Sequence, residues 1–263
     1  MNENSFFVAA QYGDIPKLNN LIEEFGVDIN SQNNRDKETA LTLAVRYKKN
    51  ELAIYLINIG INIHLGNSSK DNALIIAAST SNDEMVDILI VHGIDVNFQN
   101  IYGDTALIMA SHNGFLPIVE KLYISGSNLN IRNKLGQTAL MYSVSMKRMD
   151  VVEYLIIKGA RLEYQNMWSE TVFTIASRNI DKNIYNFLIE TYTKQCFIGN
   201  IELSPLEESC FNQNNLKQDS VIQNIISKVK FFILLHSLDD IYILSQIDIY
   251  YLIQILLEEQ NFF

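Results

Sequence analysis

The stretch that decides the fold is Asn100–Arg132, which reads NIYGDTALIMASHNGFLPIVEKLYISGSNLNIR. Neighbouring stretches repeat it at a fixed offset of 33 residues. The offset is clearest at one position, which is occupied by Thr39, Asn72, Thr105, Thr138 and Thr171. A period of this length is typical of solenoids made of stacked helical pairs, because a single pair is too small to bury its own apolar face. The sequence therefore predicts an all-α repeat array in which each unit packs on the next.

The repeat pattern divides the chain into three parts. Residues 1–33 form an imperfect unit, which we expect to be an N-terminal capping repeat because the end unit of a solenoid has one face in water. Five regular units follow, and the last loses the pattern near Tyr192, so repeats are predicted over residues 34–192. These units span residues 34–66, 67–99, 100–132, 133–165 and 166–198. Residues 193–263 are predicted to form a helical region that packs on the last repeat as a C-terminal cap.

Each regular unit opens with a turn that begins with an Asn, whose side chain readily bonds to nearby backbone groups. These residues are Asn34, Asn67, Asn100, Asn133 and Asn166. Gly103 and Gly136 then supply a residue that tolerates a positive φ. Lys37 and Lys70 replace that glycine, which predicts altered turns in the first two regular units. The recurring Thr that follows is expected to cap the next helix through its hydroxyl group.

The spacing of apolar residues predicts two helices in each unit. In the first helix a large residue is followed three positions later by a small one, which places both on the same face. The large residues are Leu41, Leu74, Leu107, Leu140 and Phe173. The second helices carry an equally regular leucine column, and a glycine at their ends predicts a left-handed cap. The leucines of this column are Leu56, Leu89, Leu122, Leu155 and Leu188.

Three segments of this pattern resemble the ankyrin repeat: Thr105–Ala110 (TALIMA), Ile118–Leu122 (IVEKL) and His92–Asn97 (HGIDVN). Five copies in register make the resemblance specific, and it extends from residue 4 to residue 192. Where the family has Thr-Pro-Leu-His, this sequence has Thr-Ala-Leu followed by Thr, Ile or Met. The resemblance implies a solenoid of helix-turn-helix pairs with short turn fingers. It also implies a non-catalytic role as a protein–protein interaction scaffold or adaptor.

In proteins of that family, partners bind the turn tips and the exposed side of the first helices, and we carry this expectation onto matching positions. At the tips the candidate protein-binding residues are Tyr102, Leu135, Met167 and Trp168. On the first helices they are Arg46, His112 and Arg178. Aromatic and Met residues are enriched in protein interfaces. The alternative is that the tip side chains lie against the adjacent turn.

An acidic residue precedes the recurring Thr position in four of the five regular units. These residues are Glu38, Asp71, Asp104 and Glu170. If units stack at the usual helix-packing distance, the carboxylates form an acidic stripe on the concave side, which attracts a basic ligand. The alternative is a solvated polar edge without a ligand.

Composition narrows the class of partner and the compartment. A net charge of -10 over 263 residues argues against non-specific binding to nucleic acid or anionic lipid. The most apolar tract, at residues 241–257, is interrupted by polar residues, so no membrane span is predicted. Two cysteines outside the repeats, without a paired motif, predict no metal and no cofactor and suit a reducing compartment. With no signal-peptide pattern at the start, a cytoplasmic location is predicted.

Other functions stay open at this point. Cys210 with His236 and Asp239 or Asp240 would make a cysteine-dependent enzyme of the C-terminal region, if folding brought them within hydrogen-bond reach. The apolar tail would alternatively join copies of the chain, although a monomer is expected. The Asn- and Ile-rich composition and the acidic, apolar C-terminal end resemble effectors that intracellular bacteria send into host cells. That resemblance implies secretion into a host cell without a cleavable signal peptide.

Overall fold

The computed structural model describes residues 2–178 and 182–197. All regular secondary structure within these ranges is α-helical, which confirms the predicted fold class. The chain divides into two compact units, Met1–Ile175 and Ala176–Phe263. The first unit carries the repeat array described below.

Helices alternate between two series along the chain. The first helices of the repeats are α1 (Asn2–Tyr12), α3 (Ala40–Arg46), α5 (Ala73–Ser79), α7 (Ala106–Asn113), α9 (Ala139–Ser145) and α11 (Val172–Arg178). The second helices are α2 (Ile15–Glu23), α4 (Asn50–Asn58), α6 (Asp83–Val91), α8 (Leu116–Ile124), α10 (Met149–Ile157) and α12 (Lys182–Phe197).

Repeats in the first unit stack on their neighbours in sequence. First helices contact first helices from α1 through α9, and second helices contact second helices from α4 through α10. The leucines that the first unit contributes to the two predicted columns are fully buried, as Leu107 and Leu122 illustrate, whereas Phe173 is half-buried. Ala110, three residues after Leu107, is also fully buried, and its small side chain permits close helix contact. The apolar face of each repeat is therefore covered by the next, as the period predicts.

Each first helix in the regular repeats starts at the recurring Thr or Asn position. The side-chain oxygen of Thr105 accepts a hydrogen bond from the amide of Ile108 at 3.2 Å, and Asn72 accepts one from Ile75 at 3.0 Å. Corresponding bonds reach Thr39, Thr138 and Thr171. These caps satisfy amide groups that the first turn of a helix leaves unpaired, so the capping prediction is confirmed.

Each of the first two regular repeats keeps a left-handed residue in its turn, as the later repeats do. Lys37 and Lys70 have φ values of 56° and 58°, in the same left-handed region as Gly103 at 81° and Gly136 at 74°. The prediction of an altered turn is therefore wrong for the second regular repeat, whereas the turn of the first does differ in length, as described below. A left-handed non-glycine residue costs about 1–3 kcal/mol and persists where the surroundings determine the backbone. In the second regular repeat, Asn67 provides that determination by accepting hydrogen bonds from the amides of Ser69 and Asp71.

In the first regular repeat, Asn33 holds the turn, and not Asn34 as the sequence pattern predicted. The side chain of Asn33 accepts from the amides of Asp36 and Glu38, and its own amide bonds to the carbonyl of Glu38. This turn closes over one residue more than the later turns, which shifts the holding Asn back by one position.

The second unit is described over residues 176–178 and 182–197. Helix α12 continues to Phe197, so the boundary predicted at residue 192 falls inside a helix. Residues 193–197 contain no Gly or Pro to stop it. The predicted cap that would pack on the last repeat lies, beyond Phe197, outside the described residues. Within residues 2–178 and 182–197, no helix is both long enough and apolar enough to cross a membrane.

Candidate protein-binding surface of the turn tips

Consecutive turn tips are joined by backbone hydrogen bonds. The amide of one tip donates to a carbonyl of the tip before it: Ser68 to Asp36, Ile101 to Ser69, Lys134 to Tyr102 and Met167 to Leu135, at 2.7–2.9 Å. The tip residues in this row recur every 33 positions, and we call them the tip ladder: Asp36, Ser69, Tyr102, Leu135 and Trp168. The backbone bonds fix the spacing of the ladder, because each tip is tied to the next.

A side-chain clamp supports each tip from behind, and Asn100 shows its geometry. The Oδ1 atom of Asn100 accepts from the amides of Tyr102 and Asp104, both at 2.9 Å. Its Nδ2 atom donates to Oδ1 of Asp71, in the preceding turn, at 2.7 Å. Asn133 repeats the arrangement one repeat later, donating to Asp104 at 2.8 Å. One Asn therefore shapes its own turn and ties it to the turn before.

This second role of the Asn clamps was missed at the level of sequence. A signal for it exists, since the donating Asn stands 29 residues after the acceptor carboxylate, as Asn100 does after Asp71. The last repeat differs because the preceding turn carries Gln137 instead of a carboxylate. Asn166 accordingly donates to Glu170 of its own turn at 2.8 Å.

The predicted tip residues all project from the C-terminal half of the ladder in the first unit. Tyr102 and Trp168 are each 56% exposed, Met167 is 62% exposed and Leu135 is 39% exposed. More than half of three of these side chains is accessible, so packing against the adjacent turn does not cover them. Among the turn tips, the exposed apolar side chains occupy the last three, whereas the earlier tips carry Asp36 and Ser69.

The predicted acidic stripe is a row of partly covered carboxylates. Asp71, Asp104 and Glu170 are half-buried, and each accepts a hydrogen bond from an Asn clamp. Glu38 is buried and pairs with Arg46 at 2.6 Å. The carboxylates thus serve the turns as acceptors, and their capacity to attract a basic ligand stays a prediction.

The candidates on the first helices differ in their surroundings. Arg46 closes the ion pair with Glu38. The ring of His112 meets Tyr142 of the next repeat edge-to-face, with centroids 5.5 Å apart. Arg178 is exposed and belongs to the second unit. These three residues occupy the same position in their repeats, and within the first unit Arg46 and His112 lie two repeats apart.

Tyr142 links the His112 ring to the clamp network and was not singled out from the sequence. Its hydroxyl accepts a hydrogen bond from Asn133 Nδ2 at 3.1 Å. Burial and the nearby Asp104 carboxylate raise the pKa of Tyr142, and the bond from Asn133 only partly offsets them. The phenol is therefore held neutral at physiological pH, as a structural acceptor.

Elsewhere in the described ranges, Lys121 forms a surface ion-pair cluster with two aspartates. Burial lowers the pKa of Lys121, but hydrogen bonds to Asp83 and Asp87, both at 2.6 Å, outweigh it and raise the pKa overall. No three His, Cys, Asp or Glu side chains of the described residues gather as metal ligands would. Residues of the alternative enzymatic site lie outside those ranges: Cys210, His236, Asp239 and Asp240. So does the apolar tail of the oligomer alternative.

A family model for ankyrin repeats, in three copies, matches residues 6–100 and 92–166. The chain therefore belongs to the ankyrin-repeat family, as its repeats, caps and linked turn tips indicate. Ankyrin repeats generally mediate protein–protein interaction, and proteins of this kind are typically non-enzymatic scaffolds. No curated protein matches the sequence.

Proposed function

We propose that the protein is a non-catalytic adaptor that holds a partner protein on the C-terminal half of its tip ladder. The observation that carries this proposal is the row of exposed apolar side chains on three hydrogen-bonded tips. Tyr102, Leu135, Met167 and Trp168 contribute these side chains. Aromatic and Met side chains are enriched in the core of protein interfaces, where a few of them supply most of the binding energy.

The construction of the ladder favours binding because it lowers the entropic cost of association. Each tip backbone is held by an Asn clamp and by a bond to the preceding tip, as at Leu135, where Asn133 holds the turn. A surface that is already ordered loses little freedom when a partner docks, so more of the contact energy remains as affinity. The partner contacts are therefore expected on a rigid edge, with apolar groups of the partner facing Tyr102 and Trp168.

The setting of this function is also a proposal. Two cysteines without a paired motif suit a reducing cytoplasm. More specifically, we propose that the protein is a bacterial effector that acts in the cytoplasm of a host cell, which the Asn- and Ile-rich composition of the chain supports. A single copy of the chain offers the complete ladder, so binding does not require a dimer.

The proposal is tested by capture of partners from a cell lysate on the immobilised full chain, followed by affinity measurement with the purified partner. The test variant combines Tyr102→Ser with Trp168→Ser. The control combines Val91→Ser with Ile124→Ser, which removes even more exposed apolar groups from the ends of α6 and α8. We expect the tip variant to lower affinity at least about tenfold, as loss of interface anchors does, and the control to bind like the wild type.

Thermal unfolding of both variants checks that their folds are intact, since all four side chains are largely in water. Unchanged affinity of the tip variant, or an equal loss in the control, would show that the ladder is not the binding surface.

A further inference from the structure

A second candidate site lies at the N-terminal end of the repeat array, away from the apolar tips. A cavity of about 870 Å³ opens between helices α1 and α3 and the first two turns of the regular repeats. Its lining contains four carboxylates but two guanidinium groups. The carboxylates belong to Glu3, Asp36, Glu38 and Asp71, and the guanidinium groups to Arg35 and Arg46.

Glu38 is the central group of this cavity, and half of its carboxylate is unsatisfied. Its side chain is only 7% exposed. The Oε1 atom accepts from Arg46 at 2.6 Å and from Asn67 Nδ2 at 3.5 Å. The Oε2 atom is buried and has no hydrogen-bond partner among the described residues. A buried charged oxygen without a donor is unfavourable, so the Glu38 carboxylate would gain from a further donor. Because Oε2 is closed to solvent, that donor has to take the place of a side chain that now covers it.

Asp71 lies near the side-chain amide of Asn67, which also contacts Glu38. The Nδ2 atom of Asn67 lies 3.5 Å from Oε1 of Glu38 and 3.3 Å from Oδ2 of Asp71, so the two carboxylates flank one nitrogen. A group that carries several donors in a plane can reach both carboxylates, whereas an ammonium group acts as a point charge. This arrangement therefore favours a guanidinium group over an ammonium group.

Part of the cavity lining suits the aliphatic part of such a side chain. Tyr47 and Val8 contribute exposed apolar surface to it, and Phe7, which is buried, also lines it. Arginine side chains bury their methylene groups on apolar surface and stack on aromatic rings while the charged head makes polar contacts. Arg46, at 37% exposure, sits at the edge of the site and holds one oxygen of Glu38.

We infer that this cavity binds an arginine side chain of a protein partner, with Glu38 as its principal acceptor and Asp71 as the second. Arg46 is the internal competitor of the incoming arginine, because it occupies the same carboxylate. The inference rests on the proposed function only in assigning the arginine to a partner protein. The site itself is separate from the tips that carry Tyr102 and Trp168.

The test uses N-acetyl-arginine amide as the probe and backbone-amide chemical shifts of the full chain as the readout. Saturable shifts are expected in the two turns that line the cavity, at residues 33–38 and 67–71. N-acetyl-citrulline amide, which keeps the shape but loses the charge, is expected to give none. This comparison needs no variant, so it does not depend on the folding of an altered chain.

Two variants then move the affinity of the probe in opposite directions. Glu38→Gln removes the acceptor charge, and we expect it to weaken binding about tenfold or more. Arg46→Ala removes the competitor and is expected to tighten binding. The control is Glu153→Gln, which removes an exposed carboxylate of α10 outside the cavity and should leave affinity unchanged.

Three outcomes would overturn the inference. They are equal shifts from the citrulline probe, unchanged binding by Glu38→Gln, and shifts spread evenly over the acidic turns instead of the first two. Loss of partner capture by the tip variant concerns the other surface, so failure of either proposal is recognised separately.

Discussion

Replacement of Asn100 by alanine is expected to lower the free energy of unfolding by about 3 kcal/mol, because one side chain makes three hydrogen bonds. It accepts from the amides of Tyr102 and Asp104 and donates to the carboxylate of Asp71, at 2.7–2.9 Å. A net hydrogen bond contributes about 0.5–1.5 kcal/mol, and one to a charged group about 1.5–3 kcal/mol. Asp71 is half-buried, so its bond is taken at the low end of that range.

The measurement is urea unfolding of the full chain, followed by far-UV circular dichroism. Asn34→Ala is the matched control, because sequence alignment of the repeats equates Asn34 with Asn100 while the structure gives that role to Asn33. Asn34 is exposed, so its loss should change stability by less than about 0.5 kcal/mol. Asn100→Asp keeps the acceptor oxygen and turns the donor into an anion facing Asp71, so it should also destabilise the chain at neutral pH.

Either of two results would refute this reasoning. If Asn100→Ala unfolds within about 0.5 kcal/mol of the wild type, the clamp does not stabilise the turn. If Asn34→Ala costs as much as Asn100→Ala, the register of the first regular turn is the one that the repeat pattern predicts. The slope of the urea transition must stay constant for the comparison, since repeat arrays can lose cooperativity.

Three further changes test the packing, the caps and the turns by the same unfolding measurement. Leu107→Ala should cost about 2–5 kcal/mol as a buried truncation, whereas Ile124→Ala, at an exposed position, should be nearly neutral. Thr105→Ala should cost about 0.5–2 kcal/mol, and Thr105→Asn should restore the cap. Gly103→Ala should destabilise more than Gly93→Ala: both have φ near 80°, but an added Cβ at Gly103 comes within 2.8 Å of a backbone nitrogen and one at Gly93 meets nothing.

Local rules account for the features that the sequence predicted. A Thr at a helix start caps it through atoms three residues away, so Thr105 and Thr138 needed no knowledge of tertiary structure. The leucine columns follow from the period, because a residue repeated every 33 positions occupies the same place in each helical pair. Leu107 and Leu122 are buried for that reason.

The features that escaped prediction depend on how individual turns close and on which side chains pair across them. Lys70 keeps a left-handed backbone that propensity disfavours, since the Asn67 clamp and neighbouring turns determine it. Asn33, and not Asn34, holds the first regular turn because the backbone amide of Asn33 donates to the carbonyl of Glu38. Burial of Glu38 also runs against the usual exposure of Glu, because Arg46, at the end of the helix that follows Glu38, pairs with its carboxylate at 2.6 Å.

The backbone bonds between turn tips have a consequence for the shape of anything that lies along them. Repeats at the usual helix-packing distance of about 8–10 Å present one tip per interval of that length, while an extended polypeptide advances about 3.3 Å per residue. A stretched segment following the ladder thus meets Tyr102, Leu135 and Trp168 with every third residue. A recognition motif for this edge would show three-residue periodicity, in contrast to the two-residue alternation read by the edge of a β-sheet.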